Sequence, residues 1–192
     1  MKTHYRRNLP HLHPPGATLF LTMRLAGSLP QALLAELRER PPAPREHFAR
    51  CEQALEAGNS GPTWLAVPAV RTLVLAGLQQ QAAAGCYALL AACLMPNHLH
   101  GVLGLPEWPR EPLFRVLQRF KSATAVLANR HLGRSGAFWQ AETFDHIVRE
   151  KPDALRRVLR YTAYNPVQAG LVSHWQAWPG TWVAAAWQDE LA

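Results

Sequence analysis

Two apolar runs of strand length, residues 86–94 and 98–105, stand on either side of Met95-Pro96-Asn97. So short a connection cannot carry a crossover, which makes the two runs antiparallel neighbours in a sheet. Residues 17–25 are rich in strand formers after Pro14-Pro15-Gly16, and residues 143–149 alternate as a further strand. Helical spacing runs through 29–40, 45–57, 67–84 and 112–132; the third of these is opened by Pro68 and carries Val70, Leu73, Val74 and Leu78 on its apolar side. A last helix is expected to open at Pro152 and to stop near Asn165, because Pro166 disfavours helical geometry in the residue before it. The order strand, helices, two strands, helix, strand, helix predicts an α+β fold, an antiparallel sheet covered by helices. It is compatible with a ferredoxin-like βαββαβ core that carries extra helices after its first strand.

With 192 residues and 48% hydrophobic content, the chain can bury one substantial core, and a second full domain would leave both halves small. One elaborated domain over 1–192 is expected: a basic N-terminal arm (1–16), a helical insertion (41–84) and a Trp-rich C-terminal tail (167–192). Lys and Arg number 20 against 13 Asp and Glu, a net charge of +7 that favours a polyanionic partner without identifying it. Cys51, Cys86 and Cys93 form no CxxC pair, and their odd number argues against a disulfide framework. They suit a reducing, cytoplasmic setting. The first fifteen residues lack the apolar core of a secretory signal, and no later stretch reads as a membrane span.

His98 and His100 are two apart in a strand, so they project to one face with backbones about 7 Å apart and can converge on one ion. Leu99, Gly101, Leu103 and Leu105 take the other face, which leaves the histidines on a polar side to present. His11 and His13 share the spacing but precede Pro14-Pro15 in the arm, where no strand is expected to orient them. On the last helix, Tyr161 and Asn165 fall within about 40° of each other, one turn apart, with Arg157 one turn earlier on the same stripe. Leu155, Val158 and Thr162 supply a different stripe for packing.

A tyrosine hydroxyl, with an ordinary pKa near 10, is a poor nucleophile at neutral pH and needs an activated electrophile beside it. A divalent ion on a phosphate oxygen supplies that, as a Lewis acid that also fixes the scissile bond. Two imidazoles and an amide oxygen leave positions open for substrate and suit Mg²⁺ or Mn²⁺ better than a closed zinc site. Attack would store the phosphodiester energy on Tyr161, so rejoining needs no ATP. Arg149, Arg157 and Arg160, with Arg115, Arg119 and Lys121 on the basic helix, are candidates for holding a DNA backbone, and Phe138, Trp139 or Trp175 for stacking on unpaired bases.

Met95-Pro96-Asn97-His98-Leu99-His100 before an apolar strand, and residues 161–172 around Tyr161, Asn165, Pro166 and Gly170, resemble the REP-associated tyrosine transposases. These are HUH single-tyrosine transposases, in which U is a hydrophobic residue. Further resemblance lies in residues 9–18, in Phe120-Lys121-Ser122 and in residues 136–146; in all it covers roughly residues 5 to 180. The resemblance implies a ferredoxin-like fold that cuts single-stranded DNA hairpins (REP-like palindromes) to a 5′-phosphotyrosine and a free 3′-hydroxyl. It implies His98 and His100 as metal ligands, Tyr161 as nucleophile and Asn165 as the polar residue completing the metal shell, in a monomer or a homodimer. Tyr164 is the rival nucleophile, about 60° around the helix from Tyr161. Region 41–84 is longer than a minimal transposase of this kind needs. Two other readings are a hairpin-binding regulator that has lost cleavage, and a histidine-triad hydrolase. The latter would want a further histidine where this chain has Gly101-Val102.

Overall fold

The computed structural model of the chain describes residues 4–6, 10–58, 60–149, 151 and 153–191. Its strands are β1 (His4–Arg6), β2 (Pro10–Leu12), β3 (Thr18–Arg24), β4 (Ala88–Leu94), β5 (His98–Gly104), β6 (Phe144–Ile147) and β7 (Thr181–Val183). Its helices are α1 (Gln31–Glu39), α2 (Pro44–Glu56), α3 (Pro68–Ala83), α4 (Leu113–His131), α5 (Ala154–Gln168) and α6 (Ala185–Leu191). β1 and β2 pair with each other, and the main sheet has the order β6-β3-β5-β4-β7 with every neighbour antiparallel. The run β6-β3-β5-β4 is the ferredoxin-like arrangement expected from the βαββαβ order, and β7 extends it along the edge of β4. The fold is thus α+β, as the sequence predicts.

Alternation along the central strands divides the interior into two cores. Leu19, Leu21 and Met23 of β3 and Leu99 and Leu103 of β5 face one way, onto Val70, Val74 and Leu78 of α3 and Val116, Leu117 and Phe120 of α4. Gly77 lets those two helices close up: a β-carbon there would lie 3.1 Å from Thr124 Cγ2 and 3.2 Å from a Phe120 ring carbon. Phe20, Ala91 and Val102 face the other way, onto Leu159 and Ala163 of α5, with Phe48 of α2 packed alongside. His98 and His100 share that second face with Val102. It is not an open polar side, as the sequence suggests, because α5 and α2 cover it and both histidines are fully buried.

Three further expectations are corrected. Helix α5 does not stop at Asn165 but runs through Pro166 to Gln168, and Gly170 at φ 69° follows it. Proline in the last turn removes one backbone donor, and packing of the buried Thr162, Ala163, Asn165 and Pro166 holds the residue before it helical. The opening of that helix at Pro152 lies outside the described residues. The arm and the tail also carry elements that the sequence pattern does not assign: β2 places its chain beside β6, and β7 and α6 follow α5. Finally, Phe138, Trp139 and Trp175 are core residues and not stacking platforms; Trp139 also donates its indole N–H to Thr124 Oγ1 at 2.9 Å. Among the described residues, no helix is long and apolar enough to cross a membrane.

Candidate functional site

The site is built where β5 meets α2 and α5. Asn97 fixes its first member. Its Nδ2 donates to the Leu55 carbonyl of α2 at 3.0 Å, so its Oδ1 is left as an acceptor 2.7 Å from His98 Nδ1. His98 therefore carries its proton on Nδ1 and aims the Nε2 lone pair inward. His100 is fixed in the same way: Thr22, its register partner on β3, gives its hydroxyl proton to Glu52 and accepts from His100 Nδ1 at 2.9 Å. The two Nε2 atoms then face each other across 3.1 Å. Burial lowers the His98 pKa to about 3, and burial together with its neighbour lowers that of His100 well below the ordinary value, so both rings are neutral at physiological pH.

Glu52 comes from α2, inside the helical insertion whose residues the sequence leaves without a role. Its Oε2 lies 3.2 Å from His100 Nε2 and accepts the Tyr161 hydroxyl at 2.7 Å. Burial pushes the Glu52 carboxyl up to about 8, and burial together with Glu52 raises the Tyr161 phenol above its ordinary value. Phe20 closes the other side, stacked on His100 at 5.3 Å and edge-on to Tyr161 at 5.7 Å. The sequence does hold a signal for Glu52. Phe48, Glu52 and Leu55 fall on one helical stripe, so a carboxylate is placed where α2 must bury its apolar side.

Asn165 lies one turn beyond Tyr161 and is fully buried, and neither Nδ2 nor Oδ1 has a hydrogen-bond partner among the described residues. Two inward lone pairs and a carboxylate within reach make a donor set that fits a divalent cation, and the orphaned Asn165 carboxamide lies one turn from Tyr161. Glu52, His98 and His100 by themselves bring three ligand atoms within 4.8 Å of one another.

The other sequence candidates fall into two groups. Arg157 and Arg160 are exposed on α5, the helix of Tyr161, and Arg149 is exposed just beyond β6. Arg115, Arg119 and Lys121 lie on α4, which packs on the opposite face of the sheet. Arg119 forms a two-pronged ion pair with Glu111, and Lys121 Nζ binds the Gln140 carbonyl at 3.0 Å and Thr143 Oγ1 at 2.6 Å. Tyr164 turns away from the histidines: its hydroxyl donates to the Leu191 carbonyl at 2.9 Å, and the Arg160 guanidinium sits over its ring. Arg24 is a cation that sequence reasoning missed. It faces His98 across the β3–β5 register and lines a cleft of ≈ 510 Å³ with Thr22, His47, Phe48 and Glu52.

No protein-family model matches the chain. A Haemophilus influenzae protein provisionally named a REP-associated tyrosine transposase is 30% identical over 101 residues, 48% of this chain. The chain spans 57% of that relative's length. A solved structure of a REP-associated tyrosine transposase bound to a REP hairpin superposes with a TM-score of 0.53 at 19% identity, over 92% of this chain and 80% of that one. The chain therefore resembles the REP-associated tyrosine transposases in sequence across about half its length and in fold across nearly all of it.

Proposed function

We propose that the chain, acting as one elaborated domain, nicks and rejoins single-stranded hairpin DNA through Tyr161. The observation that carries this reading is the convergence of the Tyr161 hydroxyl and two inward-facing imidazole nitrogens on one carboxylate of Glu52. His98, His100, Asn165 and Glu52 would hold Mg²⁺ or Mn²⁺, and such an ion polarises the phosphate under attack. With the metal ion holding its carboxylate ionised, Glu52 would accept the phenolic proton as the Tyr161 oxygen bonds to phosphorus. The bond from phosphorus to the 3′-oxygen breaks, and the proton held on Glu52 passes to that leaving oxygen. The products are a 5′-phosphotyrosine and a free 3′-hydroxyl, and the reverse order of steps rejoins the strand. Phe20 and the buried histidines keep water from the phosphotyrosine.

The cleft beside Glu52 is the proposed entry for the strand, with Arg24 meeting its phosphate. Arg149, Arg157 and Arg160 would hold backbone near the nick. Arg115 and Arg119, across the sheet, would serve only DNA that wraps round the molecule, while Lys121 would act by holding the 140–143 loop. Tyr161, His98 and His100 meet within one chain, which supports action as a monomer.

The test is a labelled single-stranded hairpin incubated with Mn²⁺: wild type should form a covalent protein–DNA adduct, and Tyr161→Phe should lose it while still binding the hairpin. An adduct that survives the substitution removes Tyr161 from the role. The regulator reading has one observation in its favour, the complete burial of both histidines. Hairpin binding without an adduct in any divalent metal would establish that reading instead.

A further inference from the structure

A second cluster of ligating side chains lies outside the site just described. His11 of β2, His13 just after it, and Asp145 of β6 bring three ligand atoms within 4.8 Å of one another. Their side chains are 2–3% exposed. A single oxygen, Asp145 Oδ2, lies 2.5 Å from His11 Nδ1 and 3.2 Å from His13 Nε2. Atoms bound to one tetrahedral ion sit about 3.3 Å apart, so a displacement under ~1 Å admits a cation among these three. The other nitrogen of His11 faces Glu142 Oε1 at 2.8 Å. That contact matters because a ligating imidazole is ordinarily held by a hydrogen bond from its second nitrogen, here as with Asn97 behind His98.

The two clusters are independent. Asp145 is opposite Leu21 in the β3–β6 register and so shares Leu21's face of the sheet, whereas His146, opposite Phe20, shares the face of His98 and His100. We propose that His11 Nδ1, His13 Nε2 and Asp145 Oδ2 form a second divalent-cation site, of the two-imidazole, one-carboxylate kind that takes Zn²⁺, with Glu142 orienting His11. The ion would fasten the N-terminal strand to β6. It would also steady residues 140–143, whose Gln140 and Glu142 line the cleft beside Glu52. The His-x-His spacing at 11 and 13, unassigned by the proposed chemistry, acquires a function here.

The experiment counts ions. The full chain is stripped with a chelator, dialysed against Zn²⁺ and assayed for metal per chain by mass spectrometry, with circular dichroism as the folding control. His13→Gln and Asp145→Asn should each bind one ion fewer than wild type, and His98→Gln/His100→Gln should keep an ion. If both single variants bind as many ions as wild type, the second site does not exist. Should they fail to fold, the double variant, altered only on the other face, decides: one retained ion supports the site and none overturns it. Because the measured quantity is a difference between variants, loss of metal at the Tyr161 centre does not alter the result.

Discussion

Truncating Asn97 to alanine should weaken both the fold and the metal centre, by amounts that follow from two hydrogen bonds. The side chain is 2% exposed and bridges His98 Nδ1 at 2.7 Å to the Leu55 carbonyl at 3.0 Å. The two losses differ. The Leu55 carbonyl keeps the Gly58 amide at 3.1 Å, so its share is below about 1 kcal/mol. His98 would retain a buried N–H with no acceptor, at a cost of ~1–3 kcal/mol, and the sum is about 1–4 kcal/mol. Freed from its acceptor, the ring also loses the restraint on its tautomer and tilt, which should lower divalent-metal affinity roughly 10–100-fold. Urea unfolding in the presence of chelator measures the first quantity, and calorimetric titration with Mn²⁺ measures the second. Asn97→Asp, which keeps an acceptor for His98, should recover much of the metal affinity. A variant N97A that unfolds within about 0.5 kcal/mol of wild type and binds Mn²⁺ equally well would refute the tautomer argument.

Glu52→Gln should lower the rate of adduct formation ~10²-fold or more, read from a time course with labelled hairpin. It should also flatten a pH dependence. In chelated protein the Glu52 carboxyl sits at about 8 against an ordinary 4.5, so folding favours its neutral form. Stability from that residue is full below its ordinary value and is lost as pH rises toward 8, by up to ~1.4 kcal/mol per unit; wild-type urea midpoints should fall over that window and E52Q midpoints should not. Leu159→Ala, at a fully buried position on the sheet-facing side of α5, should cost ~2–5 kcal/mol in the same unfolding assay. Trp139→Phe should cost about 1 kcal/mol through the lost bond to Thr124 and leave hairpin affinity unchanged, since that ring is core; a drop in affinity at equal folding would restore it as a stacking platform.

By itself the sequence determined four of the five strands of the main sheet and which of their side chains share a face. A three-residue link between apolar runs permits only antiparallel neighbours, and a period of two sets His98 and His100 on the face away from Leu99 and Leu103. A period of 3.6 likewise put Tyr161 and Asn165 on one stripe of α5. These are local rules, carried by residues close together in the chain. Tertiary structure decided what meets across long separations: Glu52 with Tyr161, 109 residues apart, and His11 with Asp145, 134 apart. No local period encodes such a meeting, because it follows from how whole helices and strands bury their apolar faces against one another. The same packing overrode local preference at Pro166 and buried aromatic rings that composition alone would allow on the surface. It also enclosed the histidine pair, so that the strand supplied the ligands while α2 and α5 supplied the dry surroundings that set their protonation.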